Sequence, residues 1–160
     1  MNVFSSEYLN RLITEAQGNN RKRQHQNIHE SFDDQCQRLF NAIEPDSYIR
    51  PHRHATDPRD EMLIAVRGEM ALVTFDGQGA VNKVVRFGAD RKNQGIAVGA
   101  EVPSTTWHTV IALEPGSVLL EVKAGPFDPN QPKDLAPWAP EEGCLEAHDY
   151  LNNLINEVSR

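Results

Sequence analysis

The chain has 160 residues, 39% apolar and 24% charged, the balance of a globular domain with a hydrophobic core. Its formal charge of −7 argues against a nucleic-acid partner, because phosphate backbones need a positive face. No apolar run approaches the roughly 18 residues of a membrane span, and Met1 to Asn10 lacks the basic-then-apolar order of a signal peptide. A cytoplasmic location without a membrane partner is therefore expected.

Residues 1–45 read as a helical segment. Ser5 or Ser6 can cap a helix that carries Leu9, Leu12, Ile13 and Ala16 on one face. Gly18 and two asparagines break that pattern. Arg21 to His25, "RKRQH", is a basic cluster that suits a solvated loop or a contact to phosphate or sugar phosphate. A second helical stripe is predicted at Phe32, Cys36, Leu39, Phe40 and Ile43, with Ser31 as its cap and Pro45 past its end. Cys36 and Cys144 are far apart and outside any CxxC spacing, so both are expected as reduced and buried thiols.

Residues 46–125 have the texture of strands and turns. Apolar runs alternate with Arg67-Gly68-Glu69, with Asp76-Gly77 and with Pro115-Gly116, and Asp-Gly between such runs marks a hairpin. Short strands at this spacing predict a sandwich or barrel, not a βαβ sheet. Residues 126–160 form an arm and a last helix. Five of the ten prolines fall between Pro126 and Pro140, which excludes helix or central strand there. Phe127, Leu135 and Trp138 give this arm apolar groups to bury, and Leu151, Leu154, Ile155 and Val158 form one face of the final helix. The whole is read as a single domain.

Two of the six histidines, His52 and His54, stand one residue apart in "RPHRHATDPRDE". On a strand, residues i and i+2 share a face, so both imidazoles can converge on one ion, with Arg50 on the same side. Glu61 opens the next strand, and Gly68 ends it. His108, in "PSTTWHTVIAL", lies on a later strand that a barrel can bring to the first two. His25 and His29 read as surface or interface positions, His29 being able to fold over the barrel mouth, and His148 as exposed.

"HRHATDPRDEMLIAVRG" resembles the first motif of the cupin family, HxH, a spacer, E, six residues, then G. "GAEVPSTTWH" resembles the second. The order of "SYIRPHRH", "EMLIAVRGEMALVTFD", "EVPSTTWHTVIALEPGS" and "EVKAGPF" after a helical start is similar to the WbuC-type cupin-fold metalloproteins, associated with O-antigen and surface-polysaccharide gene clusters. The resemblance implies an all-β core, a double-stranded β-helix or jelly-roll-like barrel with N-terminal helices and a C-terminal helix. It also implies one divalent transition metal (Fe, Mn, Zn or Ni) held by His52, His54, Glu61 and His108. Six residues separate His54 from Glu61, against three or four in the family's usual motif, so Asp57 and Asp60 stay as rival carboxylates.

Around the metal, Arg50, Tyr48 and Trp107 are expected to bind substrate, Arg50 being suited to an anion. Glu121 and Lys123 alternate with Val118, Leu120 and Val122, so they face outward if that apolar set faces the core. Three imidazoles and a carboxylate leave open positions on a five- or six-coordinate ion, which is the condition for catalysis. The expected function is isomerase- or epimerase-like chemistry on a sugar or sugar-derived small molecule. The alternatives are an Fe(II) dioxygenase and a non-catalytic sugar- or small-molecule-binding module. A homodimer is expected from the fold.

Overall fold

The computed structural model describes residues 1–56, 58–89, 95–130 and 133–159. The first element is helix α1 (Ser6–Gly18), started by Ser5, whose Oγ accepts the Tyr8 N–H at 3.2 Å. Its buried stripe is Leu9, Leu12 and Ala16.

The predicted second helix is not formed. Its residues from Cys36 onward form β2 (Cys36–Ile43), which pairs antiparallel with β1 (Arg23–Asn27) from Arg23↔Ile43 to Asn27↔Leu39, and Cys36, expected to be buried, is exposed. The helical spacing was a coincidence of two faces. Gln37, Leu39 and Asn41 point into a central cup, and Phe40 and Ala42 point outward beneath Leu9 and Leu12 of α1. Polar groups facing the cup interrupt the apolar alternation that would have announced a strand.

The remaining strands are β3 (His52–Arg53), β4 (Glu61–Arg67), β5 (Glu69–Phe75), β6 (Val81–Gly88), β7 (Gly99–Val102), β8 (Trp107–Ala112), β9 (Ser117–Ala124) and β10 (Asp134–Leu135), followed by helix α2 (Leu145–Val158). They form two sheets, ordered β1-β2-β9-β4-β7 and β10-β3-β8-β5-β6, whose neighbouring strands are all antiparallel. Asp76 closes the β5–β6 hairpin by accepting from Gln78 and Ala80 N–H, both at 2.9 Å. Gly68 joins β4 to β5 at φ 71°, where a side chain would run into Ser117.

Between the sheets lies an apolar core of Ile43, Leu63, Met70, Leu72, Phe87 and Val102 with their neighbours. Each sheet is also covered outside. Helix α1 packs on Phe40, Ala42 and Val118, and α2 packs on Ala71, Val73, Phe75 and Ile111. Burial on both faces is why "EMALVTF" of β5 reads as an almost unbroken apolar run. The Pro-rich arm includes β10, and its Trp138 packs at a tilt against Phe75, ring centroids 5.0 Å apart. Phe127 lines the cup, whereas Leu135, expected to be buried, is exposed. Among the described residues no helix is long and apolar enough to cross a membrane.

Candidate metal centre

One end of the space between the sheets opens as a cup of about 700 Å³, and its polar floor is assembled from both sheets. His52 on β3 is the direct register partner of His108 on β8. His54, just past β3, is tied down through its backbone N–H, which donates to Ser104 O at 2.7 Å. Glu61, first residue of β4, comes from the opposite sheet. The four side chains offer ligand atoms that all lie within 4.8 Å of one another.

The local hydrogen bonds fix what these groups present. His52 Nδ1 lies 3.0 Å from Arg50 O, and His108 Nδ1 lies 2.9 Å from Thr106 O. A carbonyl only accepts, so each Nδ1 carries the donated hydrogen, and in the neutral ring each Nε2 keeps its lone pair. His108 Nε2 nevertheless stands 3.2 Å from Glu61 Oε2. His54 Nε2 stands 3.1 Å from Glu61 Oε1 without the geometry of a hydrogen bond, and no described residue bonds to it. A lone pair held against a buried carboxylate needs a positive charge between them. That is the coordination preference of a divalent transition ion, so the donor set fits such an ion.

Burial, with Lys133 and His108 nearby, holds His52 well below the ordinary imidazole range, in its neutral, ligating form. Burial alone would raise the Glu61 carboxyl, but His108, His54 and Lys123 together hold it well below the usual carboxylate range. Glu61 is 3% exposed, so its negative charge has little access to water.

The rival carboxylates separate by position. Asp60 Oδ1 accepts the Ser104 N–H at 2.9 Å, outside the cluster, and Asp57 lies outside the described residues. Ser104 thus anchors both His54 and Asp60.

Glu121 and Lys123 face into the cup, contrary to the outward orientation expected. The apolar alternate set of β9 is indeed buried, but on the other side, with Val118 and Leu120 under α1. Lys123, the register partner of Glu61, places Nζ 3.0 Å from Glu61 Oε1 and 2.9 Å from Glu121 Oε1. Burial would lower Lys123, but Glu121 and Glu61 raise it, so it stays charged. Burial and the charge of Glu61 raise Glu121. The signal in the sequence was the charge pair itself, set at i and i+2 inside an apolar strand.

Arg50, Tyr48 and Trp107 are turned elsewhere, and none of them lines the cup. The strand β3 begins only at His52, so the i, i+2 alternation does not extend back through Pro51 to Arg50. The guanidinium of Arg50 donates instead to Ala136 O, at 2.8 and 3.2 Å. Tyr48 packs with α2 and donates its hydroxyl to Pro140 O at 2.9 Å. Trp107 precedes His108 on β8 and so points to the other face, where Arg53 lies 4.4 Å over its ring. The basic cluster, by contrast, is not merely a solvated loop: Arg21, Arg23 and His25 line the cup, as does His29.

The family model described as "Domain of unknown function (DUF6016)" matches residues 4–87, more than half of the chain. No curated protein sequence matches. Among solved structures, protein SO0799 from Shewanella oneidensis is similar at 13% identity and TM-score 0.57, over 85% of each chain. The capsular polysaccharide assembling protein CapF from Staphylococcus aureus is similar at 17% identity and TM-score 0.52, over 69% of this chain. Oxalate decarboxylase from Bacillus subtilis, studied for its Mn(II) centres, is similar at 16% identity and TM-score 0.51, over 71% of this chain. The chain spans 29% and 27% of the lengths of the last two. With the two antiparallel sheets, these likenesses establish the fold as a cupin double-stranded β-helix.

Proposed function

The chain belongs to the family described as Domain of unknown function (DUF6016), and we propose that it is a metal-dependent enzyme with isomerase- or epimerase-like chemistry on a small sugar-derived molecule. The observation that carries this reading is the pair of close approaches at Glu61. The Nε2 atoms of His54 and His108 stand 3.1 and 3.2 Å from its two oxygens. His52, His54, Glu61 and His108 would hold one divalent ion, Fe, Mn, Zn or Ni. A bound ion supplies Lewis-acid polarisation of a substrate oxygen.

The chain's own groups do the rest. Lys123 keeps Glu61 oriented, since its ammonium bridges Glu61 and Glu121. Glu121 is the carboxylate of the cup outside the ligand set, beside an ammonium, so a proton acceptor and a donor stand together as isomerisation requires. Leu39, Leu63, Val110, Leu119 and Phe127 wall the cup and limit water around a reacting centre. The volume of about 700 Å³ suits a sugar-sized ligand.

CapF, named for capsular polysaccharide assembly, and the Mn(II)-containing decarboxylase support a polysaccharide-linked role and a metal. The finer likeness to WbuC-type proteins and a place in O-antigen biosynthesis belong to the same proposal. The Glu121–Lys123 pair favours proton transfer over the dioxygenase alternative, which requires iron and oxygen uptake. His108→Ala tests the proposal. Loss of metal and of turnover on sugar substrates, with the thermal unfolding transition retained, is expected. Full turnover in that variant would contradict it.

A further inference from the structure

The mouth of the cup carries groups that the proposed chemistry leaves unused. Arg21, Arg23 and His25 come from the start of β1 and the residues before it, and Lys133 reaches the opening from the Pro-rich arm; all four line the cup. One carboxylate, Glu142, pairs with this group. It lies 2.9 Å from Arg21 and 2.6 Å from Arg23. Arg23 also donates to Tyr48 O at 2.8 Å and is 6% exposed, so it is fixed in place. The Arg21 side chain is 61% exposed and keeps N–H groups free. Lys133 has no ion pair or hydrogen bond among the described residues.

Arg21, Arg23 and Lys133 bring three cations to the rim; Glu142 pairs with the two arginines, and Glu121 and Glu61 at the floor act on Lys133, so the cup lining and Glu142 together hold four cations and three carboxylates on a chain whose formal total is −7. Burial first, then Arg23, Lys133 and Arg21, lower the His25 imidazole to about 4. It is therefore neutral at pH 7 and adds a hydrogen-bonding group without adding charge.

A second, independent observation concerns the wall next to this rim. His25 is the register partner of Asn41. Asn41 and His29 line the cup, are 4% and 7% exposed, and leave Oδ1 and Nε2 without a hydrogen bond among the described residues. Buried polar atoms in folded proteins are rarely left so, and each calls for a partner.

We infer that the mouth of the cup is a phosphate subsite, where Arg21, His25 and Lys133 hold the phosphate of a phosphorylated sugar and Asn41 and His29 meet its hydroxyls. The sugar's place at the floor rests on the proposed function, whereas the phosphate subsite needs no metal. A carboxylate carries one charge and is satisfied by one guanidinium. A rim whose free donors, Arg21 and Lys133, come from separate segments matches an anion with several acceptor oxygens, as a phosphate has.

The test is calorimetric titration of the chelator-treated full chain with mannose 6-phosphate, mannose and glucuronate, with inorganic phosphate as competitor. The sugar phosphate should bind at least about tenfold more tightly than either other ligand, the worth of one charge-assisted hydrogen bond, and inorganic phosphate should displace it. Lys133→Ala combined with His25→Ala should remove this advantage and leave the metal content unchanged. Lys133→Glu, a single change at an exposed position, serves the same end if the double variant fails to fold. His52→Ala with His54→Ala should lose metal and keep phosphate binding. Sugar phosphate bound no better than glucuronate or mannose, or binding indifferent to Lys133→Glu, overturns the subsite. Phosphate binding in a protein that takes up no metal supports the subsite and overturns the metal reading alone.

Discussion

Lys123 and Glu61 are register partners on adjacent strands, and the ammonium of one lies 3.0 Å from the carboxylate of the other at the floor of the cup. The same ammonium touches Glu121 at 2.9 Å, so a single positive charge serves two buried carboxylates. In the metal-free protein, Lys123→Met therefore leaves those carboxylates facing each other. Breaking a buried pair on one side typically costs about 3–5 kcal/mol. We expect a loss near the lower end, about 3 kcal/mol, because the cup is open to water. Added divalent metal should recover part of it by giving Glu61 another counter-charge. Denaturant unfolding with and without metal measures both effects, and a loss indifferent to metal would contradict the arrangement.

The outer layer should separate stability from the site. Leu12 is 3% exposed and packs α1 onto Phe40 and Val118, on the face of the sheet opposite the cup. Leu12→Ala should cost about 2–5 kcal/mol by loss of contacts and the cavity left behind. Metal stoichiometry should stay unchanged. Chemical denaturation and elemental analysis of the same preparation check this, and a loss of metal would mean that α1 supports the floor directly.

The pH dependence of stability has one clear contributor at the rim. Burial would raise Glu142, but its hydrogen bond to Arg23 and the charges of Arg23 and Arg21 hold it below its ordinary 4.5. A group whose folded pKa is depressed stabilises fully above its unfolded value, and that contribution is lost as pH falls through the folded one. Glu142→Gln should thus be less stable than the parent at neutral pH, with the gap closing below about pH 4.5. Thermal unfolding of both proteins across pH 3 to 7 reads the difference. A gap of constant size across that range would speak against an ionised Glu142 paired with Arg23.

The four-residue cluster was legible in the sequence because its signals are local. His52 and His54 are two apart at a strand, Glu61 has its fixed distance to Gly68, and His108 follows a proline turn. What decided Glu61 over Asp60 was not local, because the Ser104 N–H that engages Asp60 lies 44 residues away. The strands β1 and β2 were hidden because Gln37 and Asn41 face the cup, and polar groups there resemble breaks in a strand's alternation. Glu121 and Lys123 were turned the wrong way for a related reason. Period two separates the faces of β9 but does not say which face is the cup when helix α1 buries the other. Arg50 failed on the shortness of β3, whose alternation starts only after Pro51.

The most direct measurement is elemental analysis of the untagged protein beside its His52→Ala, His54→Ala variant, each checked for an intact unfolding transition. One transition metal per chain in the parent, lost in the variant, is the expected result. A parent that binds no divalent metal even after reconstitution, or a variant that keeps it, would contradict the central claim that these imidazoles and Glu61 form a metal centre.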